Sequence, residues 1–515
     1  MGTASTPARR ALFPFLVAAV LFALLVWRFD WLCDDAFISF RFARNLAAGH
    51  GLLYNPGLPP VEGYSNLLWV LWLAPFEALG LDVPAVARIT SALCGLALLW
   101  SLARVLRREL DGRTTALALL FPATLPPLAV WATSGLATMP FALALFALCE
   151  RLTRPASSGP RPVGAAIAAT AVVLLRADGP LFVALVLAPL LAWSFARGER
   201  SLLRATATAS AVALAALAAQ LLWRHGYYGS WSPNTARVKV EFGADTLARG
   251  LKYVGTFLLA FPACLAALAF AGWRSRAPLS ERGPLDPVCL TVVLGATAYA
   301  VAVGGDFMTS GRFLVPALPF LALLFGRAAP GLGMTALAVA LSLPAVWGVQ
   351  LAPAGLRRAL LFRGSANRYR TEYEQWELMR TQARDWTLLG RALAAHTRPG
   401  ESLIHGTIGA VGYYSGLVIH DPFGLVNREA FGDRRETDPR SPGHDRHVPN
   451  ATFMALEPTY LDAELVPAAG AAPPLPRWLR PGTEFADRGR VERVPLDDLE
   501  GAPADLVLRL VRRVR

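Results

Sequence analysis

Two adjacent carboxylates, Asp34 and Asp35, follow directly on an apolar run spanning residues 11–26. Neighbouring carboxylates repel each other and hydrate strongly, so solvation gives no reason to place them at a hydrocarbon boundary. Such a pair has two readings. It is the acidic first turn of a helix, where anionic side chains suit the N-terminus. Alternatively it supplies a general base, its pKa raised by its neighbour, suited to taking a proton from a sugar hydroxyl. Further along, "VEGYSN" puts Glu62, Tyr64 and Asn66 after a Pro/Gly turn. Glu62 is either an exposed loop acid or a group that orients an acceptor hydroxyl or holds a helper cation.

"RADGP" and "GGDFMTSGRFLVP" each pair an arginine with an aspartate, Arg176 with Asp178 and Arg312 with Asp306, at the end of an apolar run. Each pair closes a helix hairpin, or its guanidinium grips phosphate oxygens bidentately at headgroup depth. Gly304 and Gly305 would allow backbone to approach such a ligand closely. "RHGYYGSWSPNTARVK" mixes Arg224, His225, Arg237 and Lys239 with Tyr227, Tyr228, Trp231 and Asn234. It reads as an aromatic belt with headgroup-binding cations, or as a sugar-stacking surface on which Asn234 bonds hydroxyls.

The elements that position these groups are membrane helices. The chain is 54% hydrophobic and 17% charged over 515 residues, with a mean hydropathy of +0.40, a balance that a soluble domain of this size does not need. The net charge of +13 comes from arginines in short clusters between apolar runs, the pattern of cytoplasmic loops, and argues against nucleic acid as a partner. Five scattered cysteines show no CxxC or Cys/His spacing, so neither a disulfide nor a zinc site is expected. Residues 11–29 read as a retained first span rather than a cleaved signal, because no small-residue cleavage site follows.

About eleven spans are expected, at residues 11–29, 85–103, 115–131, 138–150, 162–176, 179–196, 203–223, 252–272, 286–303, 313–326 and 332–350. Residues 66–81 are read as re-entrant or interfacial, with Trp69 and Trp72 at headgroup level. That choice puts the basic clusters at 104–113, 151–161, 197–204 and 274–282 all in the cytoplasm. With the N-terminus inside, every polar peculiarity named above falls on the outer face. Residues 34–46 are expected to form an amphipathic helix along that face.

Residues 1–350 are therefore expected to form a transmembrane catalytic domain with an external loop at 30–84. Residues 351–515 would be an extracytoplasmic α/β domain, with a charged helix followed by strand, Gly-rich turn, short helix and strand. Stretches 431–452 and 467–484 read as loops. Carboxylates, phosphate-matching arginines and aromatic and amide groups share one plane, and a substrate that is lipid, phosphate and sugar at once would fit them.

These segments, together with "WATSGL" and "GTIGAVGYYSGLVIHDPFGL", resemble the bacterial GT-C glycosyltransferases, and most closely the terminal β-(1→2)-arabinofuranosyltransferase and flagellar motor control (ZomB-like) group. The resemblance implies an α-helical polytopic GT-C protein of the plasma (inner) membrane. It implies transfer, with inversion, of a sugar such as arabinofuranose from a polyprenyl-phosphate donor to an envelope glycan or glycolipid on the outer side. It ranks Asp34 first and Asp35 second as base, and matches Arg176, Asp306 and Arg312 to the remaining motif positions. The expected mechanism holds the donor phosphate with Arg312 and Arg176, helped by Lys239. The sequence departs from the group at Ala137, where Glu is usual. No cofactor is expected: there is no Rossmann glycine fingerprint, and no ligand spacing supports a divalent cation. Two rivals are a lipid-linked-anion transporter, disfavoured by charges at span ends and the lack of a repeat, and a non-catalytic protein that keeps the fold, for which Ala137 is the best hint.

Overall fold

The computed structural model describes residues 7–154, 159–235, 243–274, 283–349, 351, 353–363, 369–428, 435–436, 446–470 and 473–514. Its membrane-like part runs α1 (Pro7–Arg28), α2 (Asp34–Ala47), α3 (Leu67–Ala78), α4 (Val83–Leu106), α5 (Gly112–Ala123), α6 (Pro126–Thr133), α7 (Thr138–Leu152), α8 (Pro162–Leu175), α9 (Gly179–Arg197), α10 (Arg200–Tyr228), α11 (Ala244–Ala260), α12 (Pro262–Arg274), α13 (Leu285–Ala302), α14 (Leu318–Arg327) and α15 (Leu332–Val346). The protein is a polytopic helical bundle with a small C-terminal sheet.

Every apolar segment expected to span coincides with one or two of these helices, but not all are long enough alone. Among the described residues, α4, α9, α10 and α13 are long and apolar enough to cross a membrane; the bent pairs α5–α6 (60°) and α11–α12 (90°) raise the number from four to six if each is one span. Proline explains both bends. Pro126 and Pro127 open α6 and Pro262 opens α12, positions where the missing N–H costs nothing to the new helix but ends the old one.

Helix α3 has 12 residues, hence a length of about 18 Å, well short of a bilayer core. The two tryptophans expected at headgroup level part company there. Trp72 is 49% exposed, whereas Trp69 is buried and its indole donates to the Gly135 carbonyl at 3.0 Å. Helix α2 also differs from the surface helix expected. Its polar residues Ser39, Arg41 and Asn45 are buried along with Phe37, Phe40 and Phe42, because the 53–66 loop partners Ser39 and Asn45 and the C-terminal domain takes up Arg41.

That domain comprises α16 (Ala354–Ala359), α17 (Glu372–His396), β1 (Ser402–Ile404), α18 (Ala410–Ser415), β2 (Val418–His420), a two-residue ribbon of β3 (Arg435–Glu436) and β4 (Arg446–His447), α19 (Asn450–Met454), β5 (Tyr460–Pro467), β6 (Gly489–Pro495) and β7 (Leu506–Arg513). The main sheet has the order β2-β1-β5-β7-β6. Strand β1 is parallel to β2 and β5, and β7 is antiparallel to β5 and β6. The strand, turn, short helix, strand pattern of residues 402–420 is thus the β1–α18–β2 crossover. Helix α17 starts at a capping box in which Thr371 and Glu374 satisfy each other's backbone N–H.

The docking is specific. Arg41 donates to the carbonyls of Tyr54, Gly412 and Leu417 and to Asn55 Oδ1. Its guanidinium lies 4.2 Å from the Tyr54 ring centroid. Arg44 donates to the Tyr413 carbonyl at 2.6 Å and lies over that ring at 3.5 Å. The buried Arg41 charge is tolerated because its donors are met by oxygens from the 54–55 loop and from the C-terminal domain.

Candidate active site

The bundle end that carries the C-terminal domain encloses a cavity of about 230 Å³. Its walls come from the first turns of α2 and α7, the 63–66 loop, the α8–α9 hairpin, the end of α13 and the loop that follows it. Helices α2, α7 and α9 present N-termini there, and such ends favour an anion through their unpaired N–H groups and dipoles.

Arg176 and Arg312 both border this cavity. Arg176 makes a bidentate pair with Asp178, Nε to Oδ1 at 2.8 Å and Nη2 to Oδ2 at 2.6 Å. Arg312 Nε lies 2.7 Å from Asp306 Oδ2. Both guanidiniums lie near the Phe313 ring, that of Arg176 at 5.7 Å and that of Arg312 at 5.3 Å from its centroid. Each aspartate fixes one edge of its arginine, leaving the other edge to address a ligand. All four residues line the cavity. The expected Arg/Asp pairs therefore exist, and both face the same space.

The two aspartates that open α2 separate. Asp35 lines this cavity and also a second one of about 290 Å³ that lies beneath α17 and the 406–408 loop. Asp34 lines only the second. Asp34 Oδ1 accepts from the Ala410 N–H at 2.8 Å, a contact allowed because residue 409 is glycine. A Cβ there would come within 2.1 Å of the Asp34 carbonyl oxygen and 2.5 Å of its Oδ2. Burial pushes the Asp34 carboxyl up to about 7; the neighbouring Asp35 charge adds to this, while the Ala410 and Gly409 N–H groups oppose it.

Of the other residues singled out, Tyr64 and Asn66 line the first cavity. The Tyr64 hydroxyl is 3.1 Å from that of Tyr228, and Asn66 exchanges hydrogen bonds with Ser39 at 3.0 and 3.2 Å. Glu62 does not reach the cavity wall. It is 3% exposed and paired with Arg224 at 2.6 Å. Burial holds its carboxyl above the ordinary value although Arg224 pulls it down. Asn234 is likewise drawn elsewhere, donating to the Gly424 and Leu425 carbonyls at 2.8 and 2.7 Å and so stitching the C-terminal domain to the bundle. Lys239 and Arg237 lie outside the described residues. Ala137 is on the cavity wall beside Leu136 and Thr138, where a longer side chain would project among the charges. Among the described residues no three His, Cys, Asp or Glu side chains gather as a metal site, and all five cysteines are free thiols.

Sequence reasoning missed the support for Arg312. The loop after α13 turns through positive φ at Gly304 (78°) and Gly305 (74°), and a Cβ on Gly305 would lie 2.6 Å from Tyr253. These glycines therefore press the loop against α11. From the other side, buried Glu372 accepts from the Ser310 N–H and pairs with Arg363 at 2.8 Å. Arg363 in turn donates to the carbonyls of Phe307 and Met308, each at 3.1 Å. Residues of the C-terminal region thus clamp the loop that carries Asp306 and Arg312. No local signal marks this pair, because its partners are about 60 positions away.

Fold and site together define a membrane protein with the GT-C architecture. Its chain aligns with the ArnT structure from Cupriavidus metallidurans bound to undecaprenyl phosphate, with a TM-score of 0.57 at 13% identity over 97% of both chains. The apo ArnT structure gives a TM-score of 0.51 at 14% identity over 97% and 98%. In sequence the chain is a homologue of two proteins named terminal β-(1→2)-arabinofuranosyltransferase. It is 30% identical over 341 residues to that of Corynebacterium glutamicum, covering 58% of this chain and 48% of the relative. To that of Mycobacterium tuberculosis it is 28% identical over 346 residues, covering 59% and 53%. The chain thus spans about half the length of the curated relatives it matches. Residues 368–480 match a domain of unknown function, DUF8728.

Proposed function

We propose that the protein is an inverting glycosyltransferase of the plasma (inner) membrane. It moves a sugar, arabinofuranose being the first choice, from a polyprenyl-phosphate donor to an envelope glycan or glycolipid. The single observation that carries this reading is the shared cavity: two guanidiniums on one wall, a carboxylate on another, and helix N-termini around them. The relatives' names support the arabinofuranosyl choice. The lipid phosphate bound by ArnT supports the donor class.

In this mechanism the donor phosphate lies between Arg176 and Arg312, and its prenyl chain runs down between helices. Asp35, at the junction of the two cavities, takes the proton of the acceptor hydroxyl as that oxygen attacks the anomeric carbon from the side opposite the phosphate. The carbon–oxygen bond to phosphate breaks, and the arginines and helix N-termini stabilise the negative charge of the departing polyprenyl phosphate. Asp34 positions Asp35 through the bond to α18. Ranking Asp35 above Asp34 follows from location, since a base must touch both the acceptor and the reacting bond. The N-terminus is cytoplasmic in this reading and the cavities open to the outer side.

Incubating membranes that contain the protein with radiolabelled polyprenyl-phosphate arabinose, and then with other polyprenyl-phosphate sugars, tests the proposal. Label appearing in a glycan acceptor is expected. Absence of transfer from every donor would leave the alternative of a non-catalytic GT-C-fold protein, for which the substitution at Ala137 is the motivating feature.

A further inference from the structure

We propose that the cleft of the C-terminal domain, with Trp386 at its inner edge, is a set of acceptor subsites that hold an extended glycan chain and feed its end to Asp35. This rests on the glycosyltransferase reading above and gives that site an acceptor class: a neutral oligosaccharide of several residues rather than a single sugar.

Three cavities stand in series. The first shares Asp35, Ile38 and Leu425 with the second. The second shares Trp386 and Thr407 with a third, of about 480 Å³, bordered by α17, the loop after β1, β5, β7 and the proline-rich segment at 474–476. The second and third are each near or within the size that holds a small ligand, and the shared walls set the three side by side, in a row that leads toward the proposed base. A prenyl chain would not occupy that row, because the third cavity is lined by Asp385, His405, Asp462, Glu464, Arg480 and Arg509. Three carboxylates against two guanidiniums also disfavour a phosphate-rich ligand. They suit hydroxyl groups, which donate to carboxylates and accept from guanidinium. Trp386 is half-buried, as a platform for the apolar face of a sugar ring must be.

One donor there is unused. Arg509 is 3% exposed and spends its terminal nitrogens on Glu464 and the Pro473 carbonyl, with Asp462 at 3.6 Å. Its Nε has no hydrogen-bond acceptor among the described residues. A buried unsatisfied donor is costly in an empty protein and is relieved by an oxygen-bearing ligand.

The test uses the full chain in detergent, without donor, and measures binding of a synthetic arabinofuranose disaccharide and hexasaccharide by calorimetry. The hexasaccharide is expected to bind at least about ten-fold more tightly than the disaccharide, roughly the value of one stacked ring with its hydrogen bonds. Trp386→Ala should bring the ratio of the two affinities close to one, and Trp386→Phe should restore most of it. Arg480→Ala, at the exposed far end, should lower the ratio about three-fold with no change in melting temperature, which guards against misfolding of the tryptophan variant. Equal affinities in the wild type, binding of neither probe, or a ratio unmoved by both alanine variants would overturn the proposal. Transfer to the disaccharide without length-dependent binding would sink these subsites and leave the enzyme. Length-dependent binding with no transfer would do the reverse.

Discussion

Replacing Asp35 by Asn removes the proposed base while changing almost nothing else. Asn matches the carboxylate in shape, so no cavity opens and packing around α2 stays as it is. Loss of a general base costs about 10²- to 10⁴-fold, or about 3 to 5 kcal/mol in the barrier. Asp35 also lies within electrostatic reach of Arg312, so removing its charge leaves the cavity more positive. Donor binding should therefore hold or tighten: kcat falls while the donor KM stays level or drops, a split that a damaged fold would not produce. Asp34→Asn is the matched comparison. The amide oxygen still accepts from Ala410, so transfer should stay within about ten-fold of wild type, the cost expected when a positioning hydrogen bond worth about 1 kcal/mol weakens. The assay is transfer from radiolabelled polyprenyl-phosphate arabinose by purified wild type and both variants, with melting temperatures measured alongside. Full activity in Asp35→Asn together with loss in a well-folded Asp34→Asn would refute the assignment and return the role to Asp34.

Four further outcomes are expected. Asp34 carries a folded-state pKa of about 7 against an unfolded value near 3.9; the folded protein thus binds the extra proton between those values, and its contribution to stability, present in full below about pH 4, is lost as pH rises to about 7. Up to about 4 kcal/mol is involved, and chemical denaturation across that range should show the decline in wild type and a flatter profile in Asp34→Asn. Arg312→Ala should cut transfer by about 10²- to 10³-fold and raise the donor KM, while Arg312→Lys recovers only part, lacking the planar fork; equal activity in both variants and wild type would remove the phosphate role. Glu372→Ala leaves Arg363 buried without its carboxylate and should destabilise the protein by about 3 to 5 kcal/mol, read as a lowered melting temperature; an unchanged value would show that the loop does not depend on this clamp. Glu62→Gln should lower the melting temperature by breaking the Arg224 pair yet leave the acceptor KM within about two-fold, and a selective rise in that KM would restore Glu62 to acceptor binding.

Much of this protein follows from local pattern. Long apolar runs with arginine clusters between them specify a helical membrane bundle whatever the rest does, because hydrocarbon admits no unsatisfied backbone. The Arg176/Asp178 and Asp306/Arg312 pairs are legible for the same reason: an arginine and an aspartate at one span end have few other partners at that depth. The 12-residue α3 and the β1–α18–β2 unit are likewise visible from apolar length and turn residues.

The division of labour between adjacent residues is not written locally. Asp34 and Asp35 are chemically identical neighbours in sequence. Both border the second cavity, but only Asp35 also reaches the arginine-lined one, because helical geometry separates them by about 100° and because α18, some 375 positions away, supplies a backbone N–H to Asp34. Glu62 and Asn234 look like free polar groups in a loop until Arg224 and the 424–425 carbonyls are brought against them. Arg363 and Glu372 carry no motif, and their importance comes from the loop they hold. Tertiary contact decides these roles, since a buried charge or amide must take whatever partner the fold delivers, and that partner comes from anywhere along the chain.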